Sequence, residues 1–190
     1  MPILTRRFDE AFAYAHEVHA THLRKGSAVP YLGHLMGVSS MVIDDGGNED
    51  EAIAALLHDA AEDHGGRARL KDIATRFGSG VARIVEDCTD SWATPKEPWA
   101  ERKKMYVEHA RTLPAPSLRV SAADKVHNAY AILRDLRNVG DRVWERFNAG
   151  ADDILSYYQS LIRSFRAAGG GPLVDELDRI VRAIEREMGY

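Results

Sequence analysis

The stretch "ALLHDAAEDHGG", residues 55–66, decides how this chain is read. An apolar helical run delivers His58, Asp59, Glu62 and Asp63 in close succession and then stops at paired glycines. Asn48 is a good helix N-cap, so the spacing predicts a helix over about 49–63 that Gly65 and Gly66 close. At about 100° per residue, Ile53, Leu56, Leu57 and Ala60 fall on one side. His58, Asp59, Glu62 and Asp63 fall on the other. A solvated polar face at a helix end is one reading. Two features oppose it. Upstream on the polar side stand Ala52 and Ala55, not the Lys and Glu of an exposed helix. Acids in a last turn also oppose the helix dipole, by about 0.3–1 kcal/mol each. A bound cation would remove that conflict.

Helical periodicity extends over most of the 190 residues. It predicts helices over residues 5–22, from Gly33 to about Asp44, and in "LKDIATRFG", "GVARIVEDCTD" and "AERKKMYVEHARTL". Further helices are predicted from about Leu118 to Leu136, in "ADDILSYYQSLIRSFRAA" and in "PLVDELDRIVRAIEREM". The loops "RKGSAVPYLG" and "SWATPKEPWAE" carry the glycine and proline breakers. No alternating strand pattern or internal repeat is present. The expected architecture is all-α, a bundle of roughly eight helices. The glycines at 169–171 set the expected boundary between a main domain, 1–168, and a C-terminal helical extension, 169–190.

A net charge of −4 offers no bulk case for nucleic-acid binding, though a local basic pocket for a small anion fits within it. No run approaches the roughly 18 apolar residues of a membrane span, and "MPILTRRFDEAF" lacks the apolar core of a signal peptide. The single cysteine, Cys88, has no intrachain partner and reads as a small buried hydrophobe. A reducing, cytoplasmic setting is expected. The sequence assigns no oligomeric state.

Two distant residues supply partners for the quartet. His34 opens an otherwise apolar helix with Leu32, Leu35, Met36 and Val38. A lone histidine there is ordinarily a satisfied core residue. Asp124 stands among Val120, Ala122, Ala123, Val126 and Ala129, and burying an isolated carboxylate is costly unless it is paired or metal-bound. Lys125 or Arg134 offers a pairing that needs no metal. Together His34, His58, Asp59 and Asp124 are two imidazoles and two carboxylates on separate helices. A third group, the stripe His16, His19 and His22, mimics a metal site, but no carboxylates accompany it, and it reads as partly buried packing.

The series His34…His58-Asp59…Asp124 resembles the H…HD…D signature of HD-domain metal-dependent phosphohydrolases. The likeness narrows through "RKGSAVPYLGH", "AALLHDAAED", "RFGSGVARIVEDCTD", "ERKKMYVEH" and "ADKVHN". Their order is similar to that in the hydrolase domain of RelA/SpoT-type alarmone enzymes, and the chain looks most like the stand-alone small alarmone hydrolases. Residues 5–165 carry the likeness, which leaves no room for a synthetase domain. The chain departs from the family pattern at Leu35, where a proline is usual, in "RKGSAVPY", which lacks an acid, and in "TDSWATPKEPW".

The resemblance implies that His34, His58, Asp59 and Asp124 ligate a divalent metal, with Mn²⁺ expected. Mixed imidazole and carboxylate ligands suit such an ion. Glu62 and Asp63 lie one turn beyond His58 and Asp59 and are the candidates to orient or deprotonate the attacking water. Supporting the ligands from behind, or simple solvation, is their alternative. Arg24, Lys25, Lys125 and Asn128 are the candidate substrate contacts, Arg24 through bidentate phosphate recognition. The expected reaction is hydrolysis of guanosine 3′,5′-bis(diphosphate) (ppGpp) or pppGpp, removing the 3′-diphosphate as pyrophosphate. Three departures fall where a nucleotide is gripped, so other readings stay open: a phosphohydrolase of NADPH or of 5′-nucleotides, or a non-catalytic nucleotide-binding domain.

Overall fold

A computed structural model describes residues 4–93 and 95–190. It contains ten α-helices: α1 Arg6–Val18, α2 Leu32–Asp44, α3 Glu49–Leu57, α4 Ala60–Asp63, α5 Gly66–Phe77, α6 Ser79–Cys88, α7 Trp99–His109, α8 Ala115–Val139, α9 Ala151–Ala167 and α10 Pro172–Glu187. Short 3₁₀ segments cover Ala110–Thr112 and Gly140–Arg146. No strand occurs among the described residues beyond an isolated bridge between Leu23 and Pro30. None of the described helices is long and apolar enough to cross a membrane.

Two apolar cores organise the bundle. The first joins α1 to α6 and takes Val120 and Ala123 from α8. The second joins α7 to α10 and takes Leu118, Ala122, Val126, Ala129, Ile132, Leu133 and Leu136 from the same α8. The 25-residue α8 thus serves both cores, and Asp124 sits on it between them. The expected helix over 118–136 is longer at both ends. Pro116 falls in its first turn, where a missing N–H breaks no hydrogen bond, and Gly140, at φ 62°, ends it. At the other end of the chain, Val174, Leu177, Ile180, Val181 and Ile184 of α10 are buried in the second core.

The first core is centred on α3. Asn48 starts it with a capping box: its side chain accepts from Glu51 N–H at 3.1 Å, and Glu51 Oε2 accepts from Asn48 N–H at 2.7 Å. Every residue of α3 from Glu51 to Leu57 is buried, Ala52 and Ala55 included. The polar side of the expected amphipathic helix is therefore interior, and the alanines there are packing surfaces. Cys88 is buried in the same core.

Two expected helices change. The helix over 49–63 divides at His58 and Asp59 into α3 and α4. Both residues stay in the right-handed helical region, His58 at φ −58°, ψ −33° and Asp59 at φ −96°, ψ −7°, and their side chains share one side of the chain, with His58 Nε2 2.9 Å from Asp59 Oδ2. The helix over 5–22 stops at Val18. The chain then folds back on itself, with Arg24 N–H bonded to Val29 O at 2.8 Å and Tyr31 N–H to His22 O at 2.9 Å. This closed loop carries Arg24 and Lys25 and returns the backbone to α2.

Candidate metal centre

Three segments bring His34, His58, Asp59 and Asp124 together. His34 lies in the first turn of α2, His58 and Asp59 form the α3–α4 break, and Asp124 is mid-α8. His34 Nε2 is 3.2 Å from Asp124 Oδ1 and 3.9 Å from Asp59 Oδ2. His58 Nε2 is 2.9 Å from Asp59 Oδ2 and 3.6 Å from Asp124 Oδ1. Both Nε2 atoms are buried without a hydrogen-bond partner. Donors held about 2.0–2.2 Å from one ion stand about 3.0–3.5 Å apart, so these spacings fit a shared divalent cation.

The far side of each ring sets its tautomer. His58 Nδ1 donates to Ala55 O at 2.8 Å, which leaves the Nε2 lone pair aimed at the centre. His34 Nδ1 lies 2.9 Å from Nδ1 of His127 on α8. Burial holds His127 down at about 4, and its neutral ring can accept a proton from His34 Nδ1 when His34 Nε2 faces a metal. Gly37 leaves room for the His127 ring, which a Cβ at that position would strike. Burial likewise keeps His34 below its ordinary value, although Asp124 pulls the other way. Burial also disfavours charge on His58, but Asp59 and Asp124 together raise its pKa well above the usual imidazole range. The carboxylates thus demand positive charge between the rings, which a proton or a metal cation answers.

Both carboxylates are held in place. Tyr31 OH donates to Asp59 Oδ2 at 2.5 Å. Asn128 Nδ2 donates to Asp124 Oδ1 at 2.6 Å, and Lys125 Nζ bonds Asp124 Oδ2. Burial works against ionisation of Asp124, yet the Lys125 charge and the two imidazoles hold its pKa well below the carboxylate range. Lys125 and Asn128, expected at the substrate, thus make their contacts here with the Asp124 carboxylate.

Glu62 and Asp63 of α4 face a different partner. Lys96 Nζ bonds Glu62 Oε1 at 2.6 Å and Asp63 Oδ1 at 3.1 Å, while Asp90 N–H donates to Glu62 Oε2 at 2.7 Å. Asp90 in turn binds Arg102 and Lys103 of α7. Of the expected phosphate contacts, Arg24 stands over the Tyr31 ring at 5.8 Å, and Lys25 donates to Asn148 at 2.8 Å. Sequence reasoning had no role for His127, Lys96 or Asp90. The nearest signals were a histidine three residues after the lone acid Asp124 in "ADKVHN" and a lysine between two prolines.

A buried pair of imidazoles faces paired carboxylates inside an all-α bundle, and the HD-domain family profile matches residues 11–155. The chain belongs to the HD-domain family, and within it to the group of the guanosine-3′,5′-bis(diphosphate) 3′-pyrophosphohydrolases called MESH1. It is 37% identical to MESH1 of Xenopus tropicalis over 138 residues, 71% of this chain and 72% of the relative. It is 35% identical to human MESH1 over the same length and shares. Its fold matches the structure of a metazoan ortholog of SpoT that hydrolyzes ppGpp and plays a role in starvation responses. That match has a TM-score of 0.77 and 27% identity, and covers 96% of this chain and 97% of the other.

Proposed function

We propose that this protein hydrolyses guanosine 3′,5′-bis(diphosphate) or its pentaphosphate relative, releasing the 3′-diphosphate as pyrophosphate. The carrying observation is the pair of buried, unpartnered Nε2 atoms of His34 and His58 set against Asp59 and Asp124. These four residues hold a divalent ion, Mn²⁺ in this reading. When bound, the ion supplies positive charge to the scissile phosphoryl group and acidity to water. The metal and its substrate sit in a hydrolase domain of residues 1–168, with residues 169–190 as a C-terminal extension, in the cytoplasm.

The chain's own groups divide the remaining work. Glu62 takes a proton from the attacking water at Oε1, and Asp63 orients that water. Lys96, bonded to both acids, gives way to substrate phosphate as the nucleotide enters. Arg24 and Lys25 grip phosphate oxygens from the loop, Arg24 by a two-pronged contact. Lys125 and Asn128 fix Asp124 and present a charge and an amide to the nucleotide's ribose side.

The test is product identity. Metal-free protein is incubated with Mn²⁺ and, separately, ppGpp, NADPH, 5′-nucleotides and cyclic nucleotides. Pyrophosphate from ppGpp supports the reading. Phosphate from NADPH with no pyrophosphate from ppGpp overturns it.

A further inference from the structure

The geometry points to a second metal site in this chain, built from His19, His22 and His64 and taking a late divalent transition ion such as Zn²⁺. Each of the three residues offers a nitrogen, and these atoms all lie within 4.8 Å of one another. They come from three places: the C-terminal cap of α1, the loop that follows it, and the C-terminal cap of α4. His16, the remaining member of the helical stripe, is exposed and takes no part.

Three observations favour an ion over simple packing. His19 is only 3% exposed, yet its Nε2 has no hydrogen-bond partner, and neither has the buried Nε2 of His64. Apolar packing would leave both nitrogens unsatisfied, whereas metal ligation uses imidazole nitrogens of this kind. His19 Nδ1 and His22 Nδ1 stand 3.1 Å apart, a hydrogen bond that orients both rings and leaves His19 Nε2 as its free nitrogen. The rings are also fixed before any ion arrives. His22 stacks on Tyr31 at 4.0 Å, His19 stacks on Tyr31 at 5.4 Å, and His19 meets His64 edge-on at 4.7 Å. Arg69 Nε donates to His64 O at 2.9 Å and pins the turn that carries the ring.

The ligand set selects the ion. Three imidazoles without a carboxylate suit Zn²⁺, Ni²⁺ or Cu²⁺ better than Mg²⁺ or Mn²⁺, which favour oxygen. Burial holds His19 down at about 3 and keeps His64 below its ordinary value, so both present lone pairs at neutral pH. The site adjoins the first centre through Tyr31, whose ring carries the histidine stack and whose hydroxyl holds Asp59.

Equilibrium dialysis of the metal-free full chain against Zn²⁺, followed by elemental analysis, tests this. The wild type is expected to bind two ions per chain. Asp59→Ala/Asp124→Ala should keep one, and His22→Ala/His64→Ala should keep one, while circular dichroism verifies that each variant is folded. The inference is overturned if folded His22→Ala/His64→Ala binds as many ions as the wild type, or if Asp59→Ala/Asp124→Ala binds none. Loss of the first centre alone would count against the proposed hydrolase and leave this second site standing, because the two pairs of substitutions remove different ions. A folding failure of the double histidine variant is met by His64→Gln alone, which should likewise bind one ion fewer than the wild type.

Discussion

Two histidine clusters lie side by side in the first core and differ in what surrounds them. Around His34 and His58, two carboxylates draw positive charge inward, and His58 rises well above its usual range. Around His19, no carboxylate is a ligand, and burial drives the ring down to about 3. The same side chain is thus made into a charge partner in one place and a neutral lone pair in the other. The lesson is that imidazole alone does not define a site. The acids beside it decide whether a hard, phosphate-binding ion or a soft, nitrogen-loving one is favoured.

The sharpest way to break the comparison is Asp124→Ala. It should abolish first-centre metal and reduce pyrophosphate release to background, as measured by metal content and a product assay, while Zn²⁺ at the second cluster survives. Retained activity would remove Asp124 from the ligand set. Glu62→Gln comes next. It should keep the metal and lower kcat by about 100- to 10,000-fold, the range of a general base. Unchanged kcat would take Glu62 out of the reaction and leave it as a tether for Lys96.

His127→Phe removes the hydrogen-bond partner of His34 Nδ1. A loss of about 10- to 100-fold in first-centre metal affinity is expected, read by competition with a chelator. Unaltered affinity would show that the His34 tautomer needs no support. The acid limb of stability separates neutral from charged histidines. In metal-free protein, folding keeps His127 near 4 and His19 near 3, both below the ordinary 6.5. Below pH 6.5 the unfolded chain then binds protons that the folded chain refuses. Their contribution to stability is complete above 6.5 and is lost as pH falls toward 4. His58, whose pKa is raised, acts with the opposite sign. The Tm difference between wild type and His127→Gln should therefore narrow or reverse between pH 7 and pH 4.5. A difference independent of pH would contradict the neutral assignment. The smallest effect belongs to a residue outside both clusters: Asn48→Ala removes the α3 cap and should cost about 1 kcal/mol, or about 2–4 °C in Tm, with metal content unchanged.

Much of this architecture can be read without coordinates. Helical periodicity and breakers give the bundle, Asn48 announces α3, and the all-α class follows. His34 and Asp124 are conspicuous because each is a polar residue in an apolar helix. Other features escape for physical reasons. The break at His58 and Asp59 defeats periodicity, which assumes a constant turn per residue. His127 looks like any helical side chain until α2 is laid against α8, with Gly37 making the space. Lys96 lies in a proline-rich loop whose path no local rule specifies, and His64 joins His19 only because α4 ends beside α1.

The placement of Asp124 on the helix shared by both cores has a consequence for biosynthesis. A nascent chain that has emerged as far as α6 already contains His34, His58 and Asp59, together with all three members of the second cluster. Asp124, the fourth of the proposed ligands, arrives only when α8 has left the ribosome and docked. On the proposed ligand set, metal capture at the first centre waits for this docking, whereas the three histidines of the proposed second site are all present while synthesis is still under way.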